Sequence, residues 1–336
     1  MLLRSAVIGF TIFSFGLTPA PHTDRSNKAA VGFAFRSPAF DKFVSDSYRV
    51  NSGDPHDFYR WFDETFRKVA GSSANDFLSG NRTHIESLTG NDRVVAEMQL
   101  ASSIHGIVRK MLPVFSLERG YEFAEAERHG KRQCLLQSTL TSSLLQSAGL
   151  QSGIVMIYRK PDGELSNNGH NVAMLRLSDG TDVLVDCSSR SPFVEHRGIF
   201  VRKPKGGYLY VDPIYHADKP GVIKGYVEEA SHQKISGSRI DILDNAFLNS
   251  QFDYYRSERA DHGVMDKTSN ASGLATSITF LEASVRECPN NPLAVYVLGR
   301  AYKMRGDRDL AKTQFERARR LYSEYGWIPQ SVRTAR

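Results

Sequence analysis

The chain has 336 residues, of which 40% are hydrophobic and 24% are charged, and its formal net charge is +6. A chain of this length and composition folds around a sizeable core, which excludes wholesale disorder. The positive residues are dispersed among acidic ones, and the sequence has no run of about five or six like charges. We therefore predict a solvated basic surface and no nucleic-acid partner.

Residues 1–20 have the pattern of a secretory signal peptide. One basic residue, Arg4, precedes an apolar run that ends at Leu17, and Thr18 and Ala20 supply small residues for a cleavage region. The apolar run is too short to span a bilayer comfortably, and a buried N-terminal segment is the alternative. We predict an exported protein, periplasmic or extracellular, with no integral membrane span after the signal is removed.

Residues 21–115 are predicted to form a lead-in followed by helices. The stretch that ends at Pro55 is polar and interrupted by proline and glycine, which indicates a loose segment. Apolar residues then recur at helical spacing in residues 56–71 and again in residues 91–112. These two stripes predict helices that pack into the core.

Residues 116–235 change from a helical to a strand pattern and form the predicted catalytic core. A leucine stripe at helical spacing fills residues 132–149 and ends at Gly149, a residue type common at helix C-termini. Apolar β-branched residues follow at 153–158. Two further strand-like runs flank an Asp-Gly pair within residues 178–180, and this pattern predicts a β-hairpin.

Residues 257–325 return to a helical pattern that contains a repeat. Six residues hold the spacing of a tetratricopeptide repeat, a helix-turn-helix unit of about 34 residues: Leu298, Gly299, Tyr302, Ala311, Phe315 and Ala318. A shift by one repeat length places Leu281 where Phe315 lies and Pro289 at the closing position. We predict two such units, with a generic helical hairpin as the alternative, and a surface for a protein partner.

Cys134, His170 and Asp186 are the candidate catalytic residues. Cys134 stands in the first turn of a predicted helix, where the helix dipole and the nearby Lys131 and Arg132 stabilise a thiolate. His170 opens the first hairpin strand and Asp186 closes the second, so antiparallel pairing places them within about two or three residues of being opposite. The imidazole then takes the thiol proton, and the carboxylate orients the ring.

At these residues the chain resembles the transglutaminase-like superfamily, which has the papain-like cysteine-protease fold. The segment from Gly130 through Cys134 to the turn at residues 148–150, and the stretch GHNVAMLRLSDGTDVLVDCS at residues 169–188, carry the resemblance. It implies an α+β fold in which the cysteine-bearing helix packs on an antiparallel sheet, between N-terminal helices and the helical repeat tail. It also implies that the backbone N–H of Cys134 contributes to an oxyanion hole, with Gln133 as a candidate second donor.

The chain departs from the family pattern at several positions. Asn171 and Val172 follow the histidine where the family often has a tryptophan, and Cys187 follows the aspartate where proline is common. The interval from glycine to cysteine is also longer. These departures leave the three candidate residues in place and leave the substrate open.

The resemblance implies thiol-dependent acyl transfer on a peptide or amide bond, without a metal or another cofactor. A cysteine peptidase or amidase passes the acyl group to water. A protein-crosslinking transglutaminase passes it to an amine with the same residues, and an arylamine-type acetyltransferase is a further catalytic alternative. A non-catalytic scaffold that binds peptides or proteins through the helical repeats is the alternative outside catalysis.

Three other assignments stay open on the sequence alone. Asp212 is an alternative orienting carboxylate. A zinc site built from His129, Cys134, His170 and Cys187 lacks the paired short spacings typical of structural zinc. A disulfide between Cys134 and Cys187 would block the nucleophile and act as a redox switch. Because the chain has three cysteines, at least one thiol stays free.

Overall fold

The structure is a computed structural model and describes residues 32–335. The predicted signal segment, residues 1–20, and the first part of the lead-in lie outside the described residues. An antiparallel barrel packs against helices that come before and after it in the chain. The fold class is therefore α+β, as predicted.

The N-terminal layer is helical. Its elements are α1 (Pro38–Asn51), α2 (Pro55–Ala70), α3 (Ala74–Ser87) and α4 (Gly90–Met111). Helices α2 and α4 coincide with the two predicted helices. Helix α1 shows that the expectation of a loose segment up to Pro55 was wrong. Ser37 caps α1 by accepting a hydrogen bond from the Phe40 N–H, and Phe40, Phe43 and Val44 are buried at helical spacing.

The strands form a closed barrel with one short pair beside it. Their bounds are β1 (Val114–Phe115), β2 (Lys131–Arg132), β3 (Gln151–Arg159), β4 (Leu165–Arg176), β5 (Asp182–Val185), β6 (Gly198–Arg202), β7 (Tyr208–Tyr215), β8 (Val222–Glu228) and β9 (Lys234–Ile235). The barrel order is β5-β4-β3-β6-β7-β8, and β5 pairs with β8 to close it. Apolar residues such as Val172, Leu184 and Ile199 fill the interior.

Helices α5 (Phe123–His129) and α6 (Cys134–Ser147) join the N-terminal layer to the barrel. Helix α6 is buried on all sides and lies across β3 and β4. Two of its buried hydroxyls bond to strand carbonyls, since Ser138 donates to Asn171 and Ser142 donates to Gly153, both at 2.9 Å. Gly149 follows α6 with a φ of +84°, as its position predicted.

The C-terminal part is helical, and its helices are α7 (Asn245–Glu258), α8 (Ala271–Glu287), α9 (Pro292–Arg305), α10 (Arg308–Tyr325) and α11 (Gln330–Arg333). It begins before the predicted boundary at residue 257 because Asp244 caps α7 by accepting a hydrogen bond from the Phe247 N–H at 2.9 Å. In the α9–α10 hairpin, an added Cβ on Gly299 would lie 2.8 Å from the Phe315 ring. The repeat positions therefore meet across a helical hairpin.

The C-terminal helices share the core of the rest of the molecule. Tyr322 stacks with Tyr210 of the barrel at a centroid distance of 6.3 Å, and Tyr325 meets Tyr208 edge-on at 5.6 Å. One face of the repeat hairpin is therefore covered by the protein's own barrel. Among residues 32–335, none of the helices has the length and apolar character that crossing a membrane requires.

A glycine in β3 permits close packing at the barrel. A Cβ added to Gly153 would lie 2.1 Å from Ile242 Cδ1. Gly153→Ala is expected to lower the free energy of unfolding by about 1–3 kcal/mol through overpacking, as measured by urea denaturation. Gly80→Ala in the exposed part of α3 is the matched control. An added Cβ there meets nothing within 4 Å, so stability is expected to rise by about 0.5–1 kcal/mol. Equal changes in the free energy of unfolding for the two variants would contradict close packing at Gly153.

Candidate active site

Cys134 is the first residue of α6, as predicted. Gly130 ends α5 in the left-handed region with a φ of +60°, and the parallel β1–β2 pair then fixes the chain. Gln133 is extended, with φ −145° and ψ 166°, and serves as the N-cap residue. The thiol is therefore held at a helix N-terminus, where backbone N–H groups have no acceptor within the helix and favour negative charge.

Three neighbouring groups offset the effect of burial on the Cys134 thiol. They are the His170 imidazole, the backbone N–H of Asn171 and the Tyr255 hydroxyl, whose oxygen is 3.6 Å from the sulfur. Burial raises the pKa of the Cys134 thiol, but these hydrogen bonds and the charge of His170 outweigh it. The pKa of this thiol consequently lies below its ordinary value.

The basic residues expected to assist this thiol are engaged elsewhere. Lys131 forms an ion pair with Glu125 at 2.7 Å, and Arg132 donates to the Leu112 carbonyl at 2.7 Å. Neither is among the largest causes that act on the pKa of the Cys134 thiol. The contribution of these two side chains to the thiolate stays a prediction.

The predicted hairpin brings His170 to Asp186. Ala173 pairs with Val185, so Asp186 falls opposite Val172, the second residue after His170. His170 Nε2 lies 3.0 Å from Asp186 Oδ2, so the carboxylate engages this ring nitrogen. Burial lowers the pKa of the His170 imidazole, but Asp186 and Cys134 outweigh it and raise that pKa above its usual value.

Asp186 is buried and accepts hydrogen bonds on both oxygens. Oδ2 lies 3.0 Å from His170 Nε2 and 3.0 Å from His196 Nε2, and Oδ1 accepts the Ser188 N–H at 2.9 Å. Burial raises the pKa of this carboxyl, but the two imidazoles outweigh it and hold the pKa well below its usual range. The carboxylate is therefore held ionised between two histidines.

Helix α4 holds the chain that follows Asp186. Arg109 donates to the carbonyl of Cys187 at 2.9 Å and also to the carbonyl of Ser189, and His105 Nε2 lies 3.2 Å from the same Ser189 oxygen. The predicted N-terminal helix thus fixes the turn that carries the carboxylate.

Sequence reasoning missed His196 and Tyr255. His196 lies in the irregular segment between β5 and β6, where no periodicity marks a single histidine. Tyr255 had a usable signal, because Leu248, Phe252 and Tyr255 recur at helical spacing after the capping residue Asp244. The predicted helical tail began two residues after Tyr255 and left this residue unassigned.

Gln133 and Cys187 lie next to the candidate residues in the chain. Gln133 is buried, and its Oε1 has no hydrogen-bond partner within residues 32–335. Its role as an oxyanion donor stays a prediction. Cys187 is fully buried with its sulfur 3.1 Å from Thr141 Oγ1, and burial raises its pKa to about 12. Cys134 and Cys187 are free thiols in the structure, not a disulfide.

The alternative carboxylate does not reach the imidazole of His170. Asp212 instead pairs with Arg159 at 3.1 Å on the barrel. The alternative zinc set is also not assembled, because His129 is exposed at the end of α5 and Cys187 faces Thr141.

A different group of potential metal ligands does converge. Donor atoms of His170, Asp186 and His196 lie within 4.8 Å of one another. A metal-bound histidine normally donates its second ring N–H to an acceptor. His196 Nδ1 is buried and has no partner in the described part of the chain. A hydrogen-bonded His-Asp-His group therefore fits these contacts better than a metal centre.

Comparison of the chain with protein-family models, with curated proteins and with solved structures gives no match in any of the three. Membership of the transglutaminase-like superfamily stays a prediction. The functional assignment therefore depends on the geometry of Cys134, His170 and Asp186.

Proposed function

We propose that the protein is a cysteine peptidase or amidase that cleaves peptide or amide bonds with Cys134, His170 and Asp186. One observation supports the proposal: a buried thiol at a helix N-terminus has its pKa lowered by the neighbouring His170 imidazole, and a buried carboxylate holds that imidazole at 3.0 Å. This arrangement combines a stabilised thiolate with a general acid. We also propose a core of the transglutaminase-like, papain-related type, because α6 carries the thiol and packs across β3 and β4.

The proposed reaction proceeds through a thioester. The Cys134 thiolate attacks the carbonyl carbon and forms a C–S bond, and the His170 imidazolium gives its proton to the amide nitrogen as the C–N bond breaks. Water then attacks the thioester, His170 takes a proton from the water, and the C–S bond breaks to release the carboxylic acid. Asp186 keeps the ring oriented and balances the imidazolium charge.

Backbone N–H groups at the start of α6 are the proposed donors to the oxyanion. The N–H of Cys134 belongs to the first turn, where no carbonyl of the same helix accepts it. Such a donor stabilises charge that develops on the carbonyl oxygen in the transition state. We propose Gln133 as the second donor because its buried side chain precedes the nucleophile directly.

The packing also bears on the alternatives to hydrolysis. A transglutaminase differs only in the acceptor of the thioester, so we treat transamidation as the second outcome of the same chemistry. A scaffold that binds partners through the helical repeats would need an open repeat surface. Tyr322 and Tyr325 cover one face of the hairpin with the barrel, which weighs against that function. Export is proposed from the pattern of residues 1–20 alone.

The pH dependence of alkylation tests the proposal. Below its pKa of about 8.5, a free thiol reacts with iodoacetamide about tenfold faster for each unit of pH. Because the pKa of the Cys134 thiol is lowered, its rate is expected to rise less steeply than that of a free thiol between about pH 6 and pH 8. The slope with pH is diagnostic, since burial of the sulfur also limits the absolute rate.

His170→Ala is the variant that tests the partner in this experiment. Without the imidazole the Cys134 pKa is expected to rise, so that the steep pH dependence of a free thiol returns and the rate at pH 6 falls about tenfold or more. Cys288→Ala is the control and is expected to behave as the wild type. A steep wild-type profile, or one unchanged by His170→Ala, would sink the proposal.

A further inference from the structure

The Tyr255 hydroxyl reaches the candidate nucleophile from a helix outside the barrel. Tyr255 belongs to α7, and its phenol oxygen lies 3.6 Å from the Cys134 sulfur. The two residues are 121 positions apart in the chain, so tertiary packing brings the phenol to the thiol. The reaction that uses Cys134, His170 and Asp186 gives this phenol no task.

The Tyr255 ring is packed tightly in its position. Only 3% of the residue is exposed. Its ring stacks on that of Tyr121 with centroids 5.5 Å apart and meets that of Tyr254 edge-on at 5.6 Å. Close packing of this kind restricts a buried side chain to one rotamer. The hydroxyl is therefore held beside the sulfur before a substrate binds, as preorganised donors of catalytic sites are.

The side chain of Asn171 determines the direction of the phenol proton. Asn171 is fully buried, and its Nδ2 donates a hydrogen bond to the Tyr255 oxygen at 3.4 Å. Because the amide N–H groups of Asn171 can only donate, the phenol oxygen is the acceptor in this contact. The phenol O–H is left to donate, and the Cys134 sulfur lies within its reach. Tyr255 is thus the donor and the sulfur is the acceptor.

The ionisation of the two groups agrees with this direction. Burial raises the pKa of the Tyr255 phenol well above its ordinary value, so the phenol keeps its proton. Burial also raises the pKa of the Cys134 thiol, but the His170 imidazole and, to a smaller extent, the Tyr255 hydroxyl help to lower it below its ordinary value. A neutral donor therefore faces an anionic acceptor, and hydrogen bonds of this kind are stronger than those between neutral groups.

We propose that Tyr255 is a further catalytic residue, whose hydroxyl stabilises negative charge on the Cys134 sulfur. The inference rests on the proposed function and adds a fourth residue to it. The sulfur carries this charge as the thiolate that attacks the carbonyl carbon. It regains the charge when the C–S bond of the thioester breaks and the electron pair returns to it. Tyr255 keeps its own proton in both steps, and His170 performs the proton transfers.

Tyr255→Phe tests this role by removing the hydroxyl while keeping the ring that stacks on Tyr121. Without the donor, the pKa of the Cys134 thiol is expected to rise. Alkylation of Cys134 by iodoacetamide at about pH 6 is expected to slow about threefold to tenfold relative to the wild type. The rate is also expected to rise more steeply with pH than in the wild type. Peptide mapping by mass spectrometry measures alkylation at Cys134 alone.

The pH profile of kcat/KM for peptide hydrolysis gives a second measurement. Its acid limb reports the ionisation of the free enzyme. In Tyr255→Phe this limb is expected to move to higher pH, because the thiolate forms at a higher pH. A hydroxyl with a purely structural role would change the stability of the fold and leave both pH profiles in place.

Tyr254→Phe is the matched control. Tyr254 is the neighbouring residue of α7 and is fully buried, and its hydroxyl has no hydrogen-bond partner anywhere in the described chain, residues 32–335. Its loss is expected to leave both pH profiles as in the wild type, and thermal unfolding of each variant excludes loss of folding. A Tyr255→Phe profile that superimposes on the wild type, or an equal shift in Tyr254→Phe, would overturn the role of Tyr255.

Failure of this role and failure of the proposed function give different results. Hydrolysis of peptides through Cys134 at the wild-type rate and pH dependence in Tyr255→Phe would overturn the role of Tyr255 and leave the catalytic proposal standing. A raised thiol pKa in Tyr255→Phe, with no thiol-dependent hydrolysis by the wild type, would overturn the catalytic proposal. The hydrogen bond from Tyr255 to the sulfur would then stand without a catalytic task.

Discussion

Replacement of Cys134 by alanine is expected to reduce peptide hydrolysis to the background rate. The proposed reaction forms a C–S bond at this residue, and alanine offers no atom that replaces the sulfur. A mixture of fluorogenic peptides measures the loss. The fold is expected to persist, because alanine removes one sulfur atom from the end of a helix whose remaining contacts are unchanged.

Cys288→Ala is the matched control for this prediction. Cys288 is also buried, lies 3.5 Å from the Tyr208 hydroxyl and has a pKa raised by burial. Nothing places it near the imidazole of His170, so full activity is expected. Loss of activity in Cys288→Ala with full activity in Cys134→Ala would reverse the assignment of the nucleophile.

Replacement of Asp186 by asparagine is expected to lower kcat/KM by about a hundredfold to ten-thousandfold. The carboxylate holds two imidazoles at 3.0 Å through one oxygen, and an amide can neither balance an imidazolium charge nor guarantee the ring orientation. His196→Ala is expected to cost less, about tenfold to a hundredfold, because His196 acts through Asp186. Equal activity of the wild type and Asp186→Asn would contradict this role.

The pH dependence of Asp186→Asn separates charge from geometry. Asp186 raises the pKa of His170, so its loss lowers that pKa. The imidazolium is then lost at a lower pH, and the alkaline limb of the activity profile is expected to shift to lower pH.

Asp186 also affects how the stability of the fold depends on pH. Because the pKa of Asp186 is lowered in the folded protein, this carboxylate stabilises the fold above its unfolded pKa of about 3.9, and that stabilisation is lost as the pH falls. In Asp186→Asn the free energy of unfolding is therefore expected to fall less steeply as the pH is lowered through the acid range.

Local patterns predicted the elements that carry the candidate residues. The leucine stripe with Gly149 predicted α6, and the Asp-Gly pair predicted the β4–β5 hairpin, because side-chain periodicity and turn chemistry are properties of neighbouring residues. Antiparallel pairing about that turn was enough to predict that His170 lies near Asp186. The helical hairpin around Gly299 and Phe315 was also predictable, because its repeat pattern is a local property of the sequence.

The features of the fold and candidate site that local patterns did not predict depend on contacts between distant parts of the chain. His196 reaches Asp186 from an irregular loop, and Tyr255 reaches Cys134 from a helix beyond the barrel. Barrel closure through the β5–β8 pairing is equally non-local. Helix α1 was missed because the proline and glycine residues near it indicated a loop. Its aromatic residues pack against Phe123 and Phe252, which are distant in the sequence, and this tertiary packing stabilises the helix.

Covalent labelling with an electrophilic peptide probe tests the central claim most directly. A peptide vinyl sulfone is incubated with the wild type, Cys134→Ala and His170→Ala, and intact mass with peptide mapping locates the adduct. We predict one probe per chain on Cys134, no adduct in Cys134→Ala, and labelling at least about tenfold slower in His170→Ala. An adduct that persists in Cys134→Ala would contradict the account. So would labelling of Cys134 in the folded protein that is no faster than labelling of Cys288.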